Sequence, residues 1–404
     1  MGHGNLLWLG VMVSVVVGCS PQTESGVEVR PGIDVLVTDS IHLIENLRVG
    51  LITNQTGVGR SGAGDIDLLL SAGVNLTTLF SPEHGFRGIL DRPGIENDVD
   101  SATGLPIYSL YGEVRAPSEE MLSNVDVLLV DLQDIGARPY TYISATLLAM
   151  RSAEAADISI LVLDRPNPIG GRLVQGPLLA PGDTSYVGML QVPLRHGLTL
   201  GELALLGNDE LGIGARLTVI PADGWTRDSW FDQTGLPWVR PSPNMPDLES
   251  ATHYPGQVIF EALNTSVGRG TPIAFQLLGA PWMDPQAILA DLQDIPGVLV
   301  KDTVFTPDEG ARKYPGEEIP GLRFLVSDRE TYDPTKLASA IFESVMEHHG
   351  SEVEIREAGF DSRFGMRDVR AAAATDAGVR SLWAQWDEQA QEFWGKTEGY
   401  RLYR

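Results

Sequence analysis

The sequence predicts an α/β protein with a Rossmann-like, doubly wound and mostly parallel sheet, joined to a second, smaller C-terminal α/β domain. The first observation is a series of short runs of Val, Leu and Ile, which are typical of parallel strands buried on both faces. The second is that segments with helical patterning alternate with these runs. The third is that each of the first four runs ends in a polar cluster.

The predicted elements divide the chain into two domains. Residues 31–280 form the predicted Rossmann-like domain and residues 281–404 the smaller one. The strand candidates of the first domain are Arg48–Thr53, Val74–Phe80, Val125–Asp131 and Ile158–Asp164. Its helix candidates are Asp65–Ala72, Ser118–Ser123 and Tyr142–Ala156. The candidates in the second domain are strands Gly297–Lys301 and Leu322–Ser327 and helices Pro285–Leu292, Pro334–His348 and Ala371–Phe393.

Length, composition and charge narrow the class of protein. A chain of 404 residues exceeds the usual size of a single core, which favours two domains. Hydrophobic residues make up 43% and charged residues 21%, as is usual for a folded globular chain. The 54 acidic and 29 basic residues give a formal net charge of -25, which repels phosphate backbones. Nucleic acid is therefore not an expected partner.

The N-terminus has the pattern of an export signal. Leu6–Gly18 is mostly apolar, too short to span a bilayer, and has the length of a signal-peptide core. Cys19, the only cysteine, follows Val-Val-Gly, which resembles a bacterial lipobox in which the thiol becomes the lipid attachment point. We therefore expect residues 1–18 to be a lipoprotein signal peptide and residues 19–30 a tether, with the protein exported and membrane-anchored in the periplasm or cell envelope. An ordinary signal peptide, followed by release of the protein, is the alternative.

Four polar loops follow the four strand candidates of the first domain. They are Asn54–Gly57, Ser81–Gly85, Asp131–Asp134 and Asp164–Pro168. Open α/β sheets bind ligands in the crevice outside the carboxyl ends of their strands. We therefore expect the four loops to converge on one site.

Glu83 is the first candidate for a catalytic group. Pro82 before it and Gly85 after it predict a tight turn that points the carboxylate into the crevice. A carboxyl group in a partly apolar cleft has a raised pKa and can protonate a leaving group near neutral pH, as the acid of a glycosidase does. Asp131 and Asp134 are candidates for a second carboxylate. A cap or a surface ion pair is the alternative role for all three.

Three other chemistries receive weaker support. Gly57, Gly59 and Gly62 match the G-x-G-x-x-G pattern of NAD-binding folds, but the first glycine comes several residues after the strand ends, which favours a simple turn. His84, His196 and His253 could hold zinc, but they lack the close spacing of known zinc motifs. No G-x-S-x-G sequence indicates a serine hydrolase.

The segment from Pro221 to Pro281 is rich in loops and is predicted to form a wall or lid over the cleft. It is also rich in tryptophan, which either stacks on sugar rings or packs between domains. Both roles remain open for the tryptophans in and beside it, which are Trp225, Trp230, Trp238 and Trp282.

Several long motifs resemble those of the NamZ-type exo-β-N-acetylmuramidases, glycoside hydrolase family 171, formerly a domain of unknown function. The resemblance covers most of the chain and is weaker over the last 100 residues. The motifs are Ser81–Gly88, Asp131–Arg138 with Tyr140–Tyr142, Leu163–Pro168, Arg195–Gly197, Pro241–Pro246, Asn264–Thr271 and Gly279–Trp282.

The resemblance implies an enzyme that releases terminal N-acetylmuramic acid from the non-reducing end of peptidoglycan fragments, with no metal or nucleotide cofactor. It implies that residues 31–280 are the catalytic domain and that Glu83 is the catalytic acid. Gln175 stands where a glutamate is expected in relatives. A second carboxylate would then be Asp131, Asp134 or Glu261, and the N-acetyl group of the substrate could instead act as the nucleophile.

The predicted ligand contacts are polar side chains of the same loops. Arg138, Arg195 and Arg269 are expected to pair with the lactyl carboxylate of muramic acid. The full set of predicted substrate-binding residues is Asn54, His84, Arg87, Arg138, Tyr140, Arg195, His196, Asn244, Glu261, Asn264 and Arg269. The alternative functions are a lipoprotein that binds wall fragments without turnover and an NAD-dependent oxidoreductase.

Overall fold

The computed structural model describes residues 1–2, 28–83, 85–86, 97–292 and 295–404. The strands are β1 (Arg48–Thr53), β2 (Asn75–Ser81), β3 (Asp98–Val99), β4 (Pro106–Ser109), β5 (Val127–Asp131), β6 (Ser159–Leu163), β7 (Gln175–Leu178), β8 (Pro193–Arg195), β9 (Leu217–Ile220), β10 (Leu277–Gly279), β11 (Val298–Phe305) and β12 (Ile319–Val326). The helices are α1 (Gly32–Asp39), α2 (Asp65–Ser71), α3 (Glu119–Leu122), α4 (Tyr142–Ala155), α5 (Leu200–Glu210), α6 (Leu248–Gln257), α7 (Pro285–Asp291), α8 (Pro334–His349), α9 (Glu357–Phe364), α10 (Asp368–Ala372) and α11 (Trp383–Lys396).

The main sheet has seven strands in the order β3-β4-β2-β1-β5-β6-β9. All neighbouring pairs are parallel except β3 and β4, which are antiparallel. The six parallel strands follow the strand order of the dinucleotide-binding fold, and the order reverses between β1 and β5. The predicted fold class is confirmed.

Both faces of the main sheet are covered, because side chains alternate along each strand. Val127 and Leu129 of β5 pack in one core cluster with the apolar residues of α1 and α2. Leu128 and Val130 point the other way, into the core cluster that contains α4 and α5. The continuous apolar runs seen in the sequence are therefore strands buried from both sides.

The second part of the chain forms a three-stranded antiparallel sheet in the order β10-β12-β11. Helices α6, α7 and α8 pack around it, and their apolar residues continue the core cluster on the α4 and α5 face of the main sheet. The two sheets thus share one core. The division of the chain at residue 280 remains a prediction.

The predicted strands and helices agree with the structure to within a few residues, with one exception. The segment predicted as one helix from Ala371 to Phe393 is divided into α10, a 3₁₀ turn at Val379–Leu382, and α11. Helix α10 ends at Ala372, and the 3₁₀ turn begins after Gly378, whose φ of 62° is not compatible with the interior of a right-handed helix.

The predicted signal segment and Cys19 lie outside the described residues. Among the helices that the structure does describe, none has the length and hydrophobicity needed to cross a membrane.

Candidate active site

A cavity of about 590 Å³ lies at the carboxyl ends of β2 and β5, between the main sheet and the second part of the chain. The main sheet contributes the loop after β2 and the turn that leads into α4. The second part contributes α6, the segment from Val258 to Phe275, and side chains at both ends of α9. The residues around the cavity include Glu83, Tyr111, Arg115, Tyr140, Thr141, Tyr142, Tyr186, Tyr254, Glu261, Arg269, Phe275, Arg312, Lys313, Arg356 and Arg363.

Glu83 lies on the turn that follows β2 and faces this cavity. The Gly85 amide donates a hydrogen bond to the Pro82 carbonyl at 3.2 Å, and the φ of 77° at Gly85 closes the turn. Thr141 donates its hydroxyl proton to Glu83 Oε2 at 2.5 Å. The turn and this hydrogen bond fix a carboxylate at the cavity wall, where it can reach a bound ligand.

Aromatic rings form the inner side of the cavity. Tyr140 lies edge-on to Tyr142 at 4.9 Å and to Tyr254 at 5.9 Å, and Tyr254 lies edge-on to Phe275 at 4.8 Å. Phe275 has a φ of 65°, which is rare for a residue with a Cβ and is maintained here by the surrounding packing. The rings exclude water from one side of the cavity and strengthen the electrostatic interactions inside it.

Another part of the cavity lining is basic. Five basic side chains from the second part of the chain, which we call the cationic wall, are Arg269, Arg312, Lys313, Arg356 and Arg363. With Arg115, six basic side chains line the cavity, against the two carboxylates of Glu83 and Glu261. This excess is notable because the whole chain carries a formal charge of -25. The cavity is suited to a ligand that carries negative charge.

Glu261 lies within the cationic wall and organises it. Its Oε1 is 2.5 Å from Arg269 Nε, its Oε2 is 3.9 Å from Arg363 Nε, and its backbone carbonyl accepts a hydrogen bond from Arg356 at 2.7 Å. The guanidinium of Arg269 also lies 5.2 Å from the centroid of Phe275. The carboxylate of Glu261 therefore holds two arginines in place and its backbone carbonyl holds a third, which leaves the wall with net positive charge.

Lys313 gives the cationic wall a pH dependence. Burial lowers the pKa of its ammonium to about 8, while its Nζ donates to the backbone carbonyls of Glu261 and Leu263. The ammonium is charged below pH 8 and becomes neutral above it. We expect the Kd of an anionic sugar to rise by several-fold between pH 7 and pH 9, measured by calorimetry, and to change less in Lys313→Arg. An equal rise in both proteins would assign the effect to another group.

The structure does not bring Asp131 to the cavity. Its carboxylate is buried at the end of β5 and accepts two hydrogen bonds from Arg165, at 2.5 Å and 2.8 Å. Thr53 donates a hydrogen bond to the neighbouring carboxylate of Asp65. Asp131 and Arg165 therefore form a bidentate, buried ion pair at the carboxyl end of β5. The role of this ion pair is structural.

Asp134 and His196 form a second buried pair away from the residues that line the cavity. Burial raises the pKa of Asp134 to about 7 and, with Arg138 nearby, lowers the pKa of His196 to about 3. The His196 Nε2 atom lies 3.7 Å from the Asp134 carboxylate, and its Nδ1 accepts a hydrogen bond from the Leu198 amide. The imidazole is therefore neutral, with its proton on Nε2 toward Asp134.

Of the three arginines predicted to meet a carboxylate, only Arg269 lines the cavity. Arg138 is buried and donates to four backbone carbonyls. Arg195 is buried and donates to the Gln175 side chain at 2.9 Å and to the Ile169 carbonyl. Gln175 also donates to the Tyr332 carbonyl at 3.0 Å and is not a cavity residue. An amide at position 175 therefore removes no carboxylate from the site.

The other predicted contacts divide between the cavity and its surroundings. Tyr140 and Glu261 line the cavity. Asn54 lies behind it and donates to the Tyr142 hydroxyl at 2.7 Å, which orients that ring. Asn264 bonds the backbone of Glu352 and Glu354, and Asn244 is half-buried in the loop before α6. The remaining two predicted residues, His84 and Arg87, lie outside the described residues.

The sequence interpretation missed most of the cationic wall. Lys313, Arg356 and Arg363 lie in the region where the resemblance is weakest, and no motif marked them. One signal was present: Arg312 and Lys313 are the only two adjacent basic residues in an acidic chain. Tyr254 and Phe275 carried no comparable signal, and Thr141 stood in the Tyr140–Tyr142 motif with no role assigned to it, because only the fold brings these residues to the cavity of Glu83.

The tryptophans of the loop-rich segment do not line the cavity. Trp238 lies edge-on to Phe231 at 5.1 Å, and Trp225 edge-on to Tyr403 at 4.9 Å. These tryptophans pack other parts of the fold. The segment does supply a wall, through the stretch from Val258 to Phe275.

The crevice where the strand order reverses has no room for a dinucleotide. Its free volume is about 10 Å³, and its lining includes Phe231, Leu236, Pro237 and Val239. Cβ atoms at Gly57 and Gly59 would lie 2.1 Å from Asp65 and 2.4 Å from Asp34, so both glycines face carboxylates. Carboxylates would repel a pyrophosphate, which removes the basis for the oxidoreductase alternative.

The histidines of the zinc hypothesis do not meet among the described residues. His253 is buried and bonded to the Tyr332 hydroxyl at 2.8 Å, apart from His196. Within the described ranges, the group that could satisfy the geometry of a metal site is Asp291, Glu347 and His348, which is exposed and does not line the cavity.

A Rossmann-ordered α/β chain with a fixed carboxylate in an aromatic and cationic cavity has the properties of an enzyme that acts on an anionic substrate. The chain belongs to the exo-β-N-acetylmuramidase NamZ family. The N-terminal profile of this family matches residues 49–249, and the C-terminal profile matches residues 252–403. The predicted family is confirmed.

Known proteins similar to the chain agree with this assignment. It is 38% identical over 387 residues to the peptidoglycan β-N-acetylmuramidase NamZ of Bacillus subtilis (strain 168), covering 95% of this chain and 93% of that protein. Crystal structures of two DUF1343 family proteins from Bacteroides fragilis also match. One has a TM-score of 0.86 at 34% identity and covers 94% of this chain and 100% of its own. The other has a TM-score of 0.75 at 30% identity and covers 93% and 99%.

Proposed function

We propose that the protein is a glycoside hydrolase that releases terminal N-acetylmuramic acid from the non-reducing end of peptidoglycan fragments. The observation that carries this proposal is the pairing of one hydrogen-bonded glutamate, Glu83, with a cationic wall in an otherwise acidic chain. Muramic acid differs from glucosamine by a lactyl group that ends in a carboxylate. The cationic wall supplies the charge that recognises this difference.

Glu83 is the general acid of the proposed reaction. It donates its proton to the glycosidic oxygen while the bond between that oxygen and the anomeric carbon breaks. Water then supplies a hydroxyl to the anomeric carbon, so that free N-acetylmuramic acid leaves, and the second proton of that water returns to the enzyme. Thr141 holds the Glu83 carboxyl group on the cavity side of its turn.

The group that stabilises the positively charged transition state is either Glu261 or the acetamido group of the substrate. Glu261 is the one other carboxylate among the described residues of the cavity. Its Oε1 is paired with Arg269 at 2.5 Å, which lowers its availability as a nucleophile. We therefore favour the acetamido oxygen, which bonds to the anomeric carbon as the glycosidic bond breaks and is displaced when water attacks that carbon, with Glu261 ordering the wall.

The proposal is tested by comparing nitrophenyl β-N-acetylmuramide with the matching glucosaminide. We expect turnover of the muramide and a kcat/KM at least tenfold lower for the glucosaminide, because one charge-assisted hydrogen bond contributes about 1.5–3 kcal/mol. Binding of N-acetylmuramic acid with no turnover of the muramide or of wall fragments would indicate the alternative, a lipoprotein that only binds fragments.

We also propose that the protein is exported and anchored through a lipid on Cys19. The support is the sequence pattern at residues 6–19. Metabolic labelling with a radioactive fatty acid should mark the protein and leave Cys19→Ala unlabelled. Equal labelling, or none, would contradict the anchor.

A further inference from the structure

Arg138 is a buried cation that joins two separate parts of the molecule. Its side chain, in a residue only 2% exposed, donates from Nη1 to the carbonyls of Pro177 at 3.0 Å and Val192 at 2.8 Å. Its Nη2 donates to the carbonyls of Arg363 at 3.0 Å and Phe364 at 2.8 Å. Among the described residues no carboxylate forms an ion pair with it, so backbone oxygens provide all of its hydrogen-bond acceptors seen here.

The last two of these carbonyls belong to the final turn of α9, which ends at Phe364. The carbonyls at a helix C-terminus have no partners within the helix and carry partial negative charge, so a guanidinium is a suitable cap. Gly365 ends the helix with a φ of 82°, and a Cβ added there would lie 2.3 Å from Arg138 Nη2. The glycine therefore leaves room for the guanidinium.

The two parts that Arg138 joins both contribute residues to the cavity lining. On its own loop, Tyr140 and Thr141 line the cavity, and Thr141 holds Glu83. On α9, the residue whose carbonyl it binds is Arg363, whose side chain belongs to the cationic wall and lies 3.9 Å from Glu261. Burial lowers the pKa of Arg138 to about 9, so its charge is held at a cost.

We propose that Arg138 is a positioning residue that holds the end of α9, and with it the Arg363 side chain, at a fixed distance from the loop that carries Thr141. It does not touch the substrate and does not line the cavity. Its effect on the sugar passes through Arg363. The proposal rests on the proposed function only in taking N-acetylmuramic acid as the ligand of the cavity.

The test uses binding, because binding does not depend on turnover. Calorimetry gives the Kd of N-acetylmuramic acid for the wild type, Arg138→Lys, Arg363→Gln and the double variant, with folding checked by circular dichroism. We expect Arg138→Lys to weaken binding about tenfold, since displacing a contact by a fraction of an ångström has effects of this order. In the Arg363→Gln background the same change should weaken it less than about twofold.

Two controls separate positioning from general stability. N-acetylglucosamine has no carboxylate, so its Kd should change less than about twofold in Arg138→Lys. Arg227→Lys is the comparison variant, because Arg227 is also buried and donates to the backbone carbonyls of Gly171 and Gly197. Arg227 is in addition paired with Glu202, and it does not line this cavity. It should leave both Kd values unchanged.

Additive losses in the double variant, or equal losses for both sugars, would overturn the positioning role. If Arg138→Lys does not fold, the same comparison is made with Gly365→Ala. The added Cβ of this variant displaces the Arg138 guanidinium from the end of α9. Failure of the wild type to bind N-acetylmuramic acid would instead contradict the proposed function.

Discussion

Glu83→Gln is expected to lower kcat for a natural muramic-acid disaccharide by about a thousandfold. A positioned general acid contributes about 10²–10⁴ to the rate, and glutamine cannot supply its proton. KM should change little, since Gln keeps the size of the side chain and can still accept the hydrogen bond from Thr141. The measurement is the rate of N-acetylmuramic acid release from the disaccharide.

Comparing two leaving groups shows whether Glu83 acts as a general acid or as a nucleophile. Nitrophenolate leaves without protonation, so the nitrophenyl muramide should lose much less activity in Glu83→Gln than the disaccharide does. Similar losses for both substrates would mean that Glu83 acts on the anomeric carbon rather than on the leaving oxygen. Such a result would leave the enzyme class intact and change the mechanism.

Glu261→Gln is the matched carboxylate variant for this experiment. If the acetamido group of the substrate is the nucleophile, this variant should raise KM through disorder of Arg269 and Arg363 while largely keeping kcat. A fall in kcat as large as that of Glu83→Gln would make Glu261 the second catalytic group.

Asp131→Asn is expected to lower the free energy of unfolding by about 3–5 kcal/mol. The substitution leaves the Arg165 guanidinium buried without its bidentate carboxylate, and both side chains are almost completely inaccessible to water. The activity of the folded fraction should remain near that of the wild type, because Asp131 is not a cavity residue. Urea denaturation and activity at low temperature measure the two quantities separately.

The control for this prediction is Asp228→Asn. Asp228 forms an ion pair with Arg172 in which both side chains are more than half exposed. Exposed pairs contribute about 0–1 kcal/mol, so this variant should unfold near the wild-type midpoint. Loss of activity without loss of stability in Asp131→Asn would return that residue to the list of catalytic candidates.

The sheet could be predicted from the sequence because its signal is local. β1, β2, β5 and β6 are apolar runs with polar residues at their ends, and each boundary falls within two residues of the structure. Glu83 could be singled out for the same reason, since Pro82 and Gly85 define its turn within four positions. Local patterns determine local geometry, and no knowledge of distant contacts was needed.

Most of the cationic wall could not be predicted, because its members are brought together by the tertiary fold. Arg269 stands in a motif and was predicted to meet a carboxylate, but Lys313, Arg356 and Arg363 look like ordinary surface charges in their own segments. The reverse error occurred at Arg138 and Arg195. Both stand in conspicuous motifs, but the structure shows that they bind backbone carbonyls and hold loops in place. A motif draws attention to a residue, but it does not show whether that residue binds the substrate or supports the fold.

The way the cavity is assembled has a consequence for the newly made protein. Glu83 and Thr141 are synthesised early, and Arg363 is reached only when the chain is nearly complete. Until α9 is made, the protein has its acid and an incomplete cationic wall, which lacks Arg363. We therefore expect an engineered truncation before α9 to weaken the discrimination between sugars before the Rossmann fold is lost.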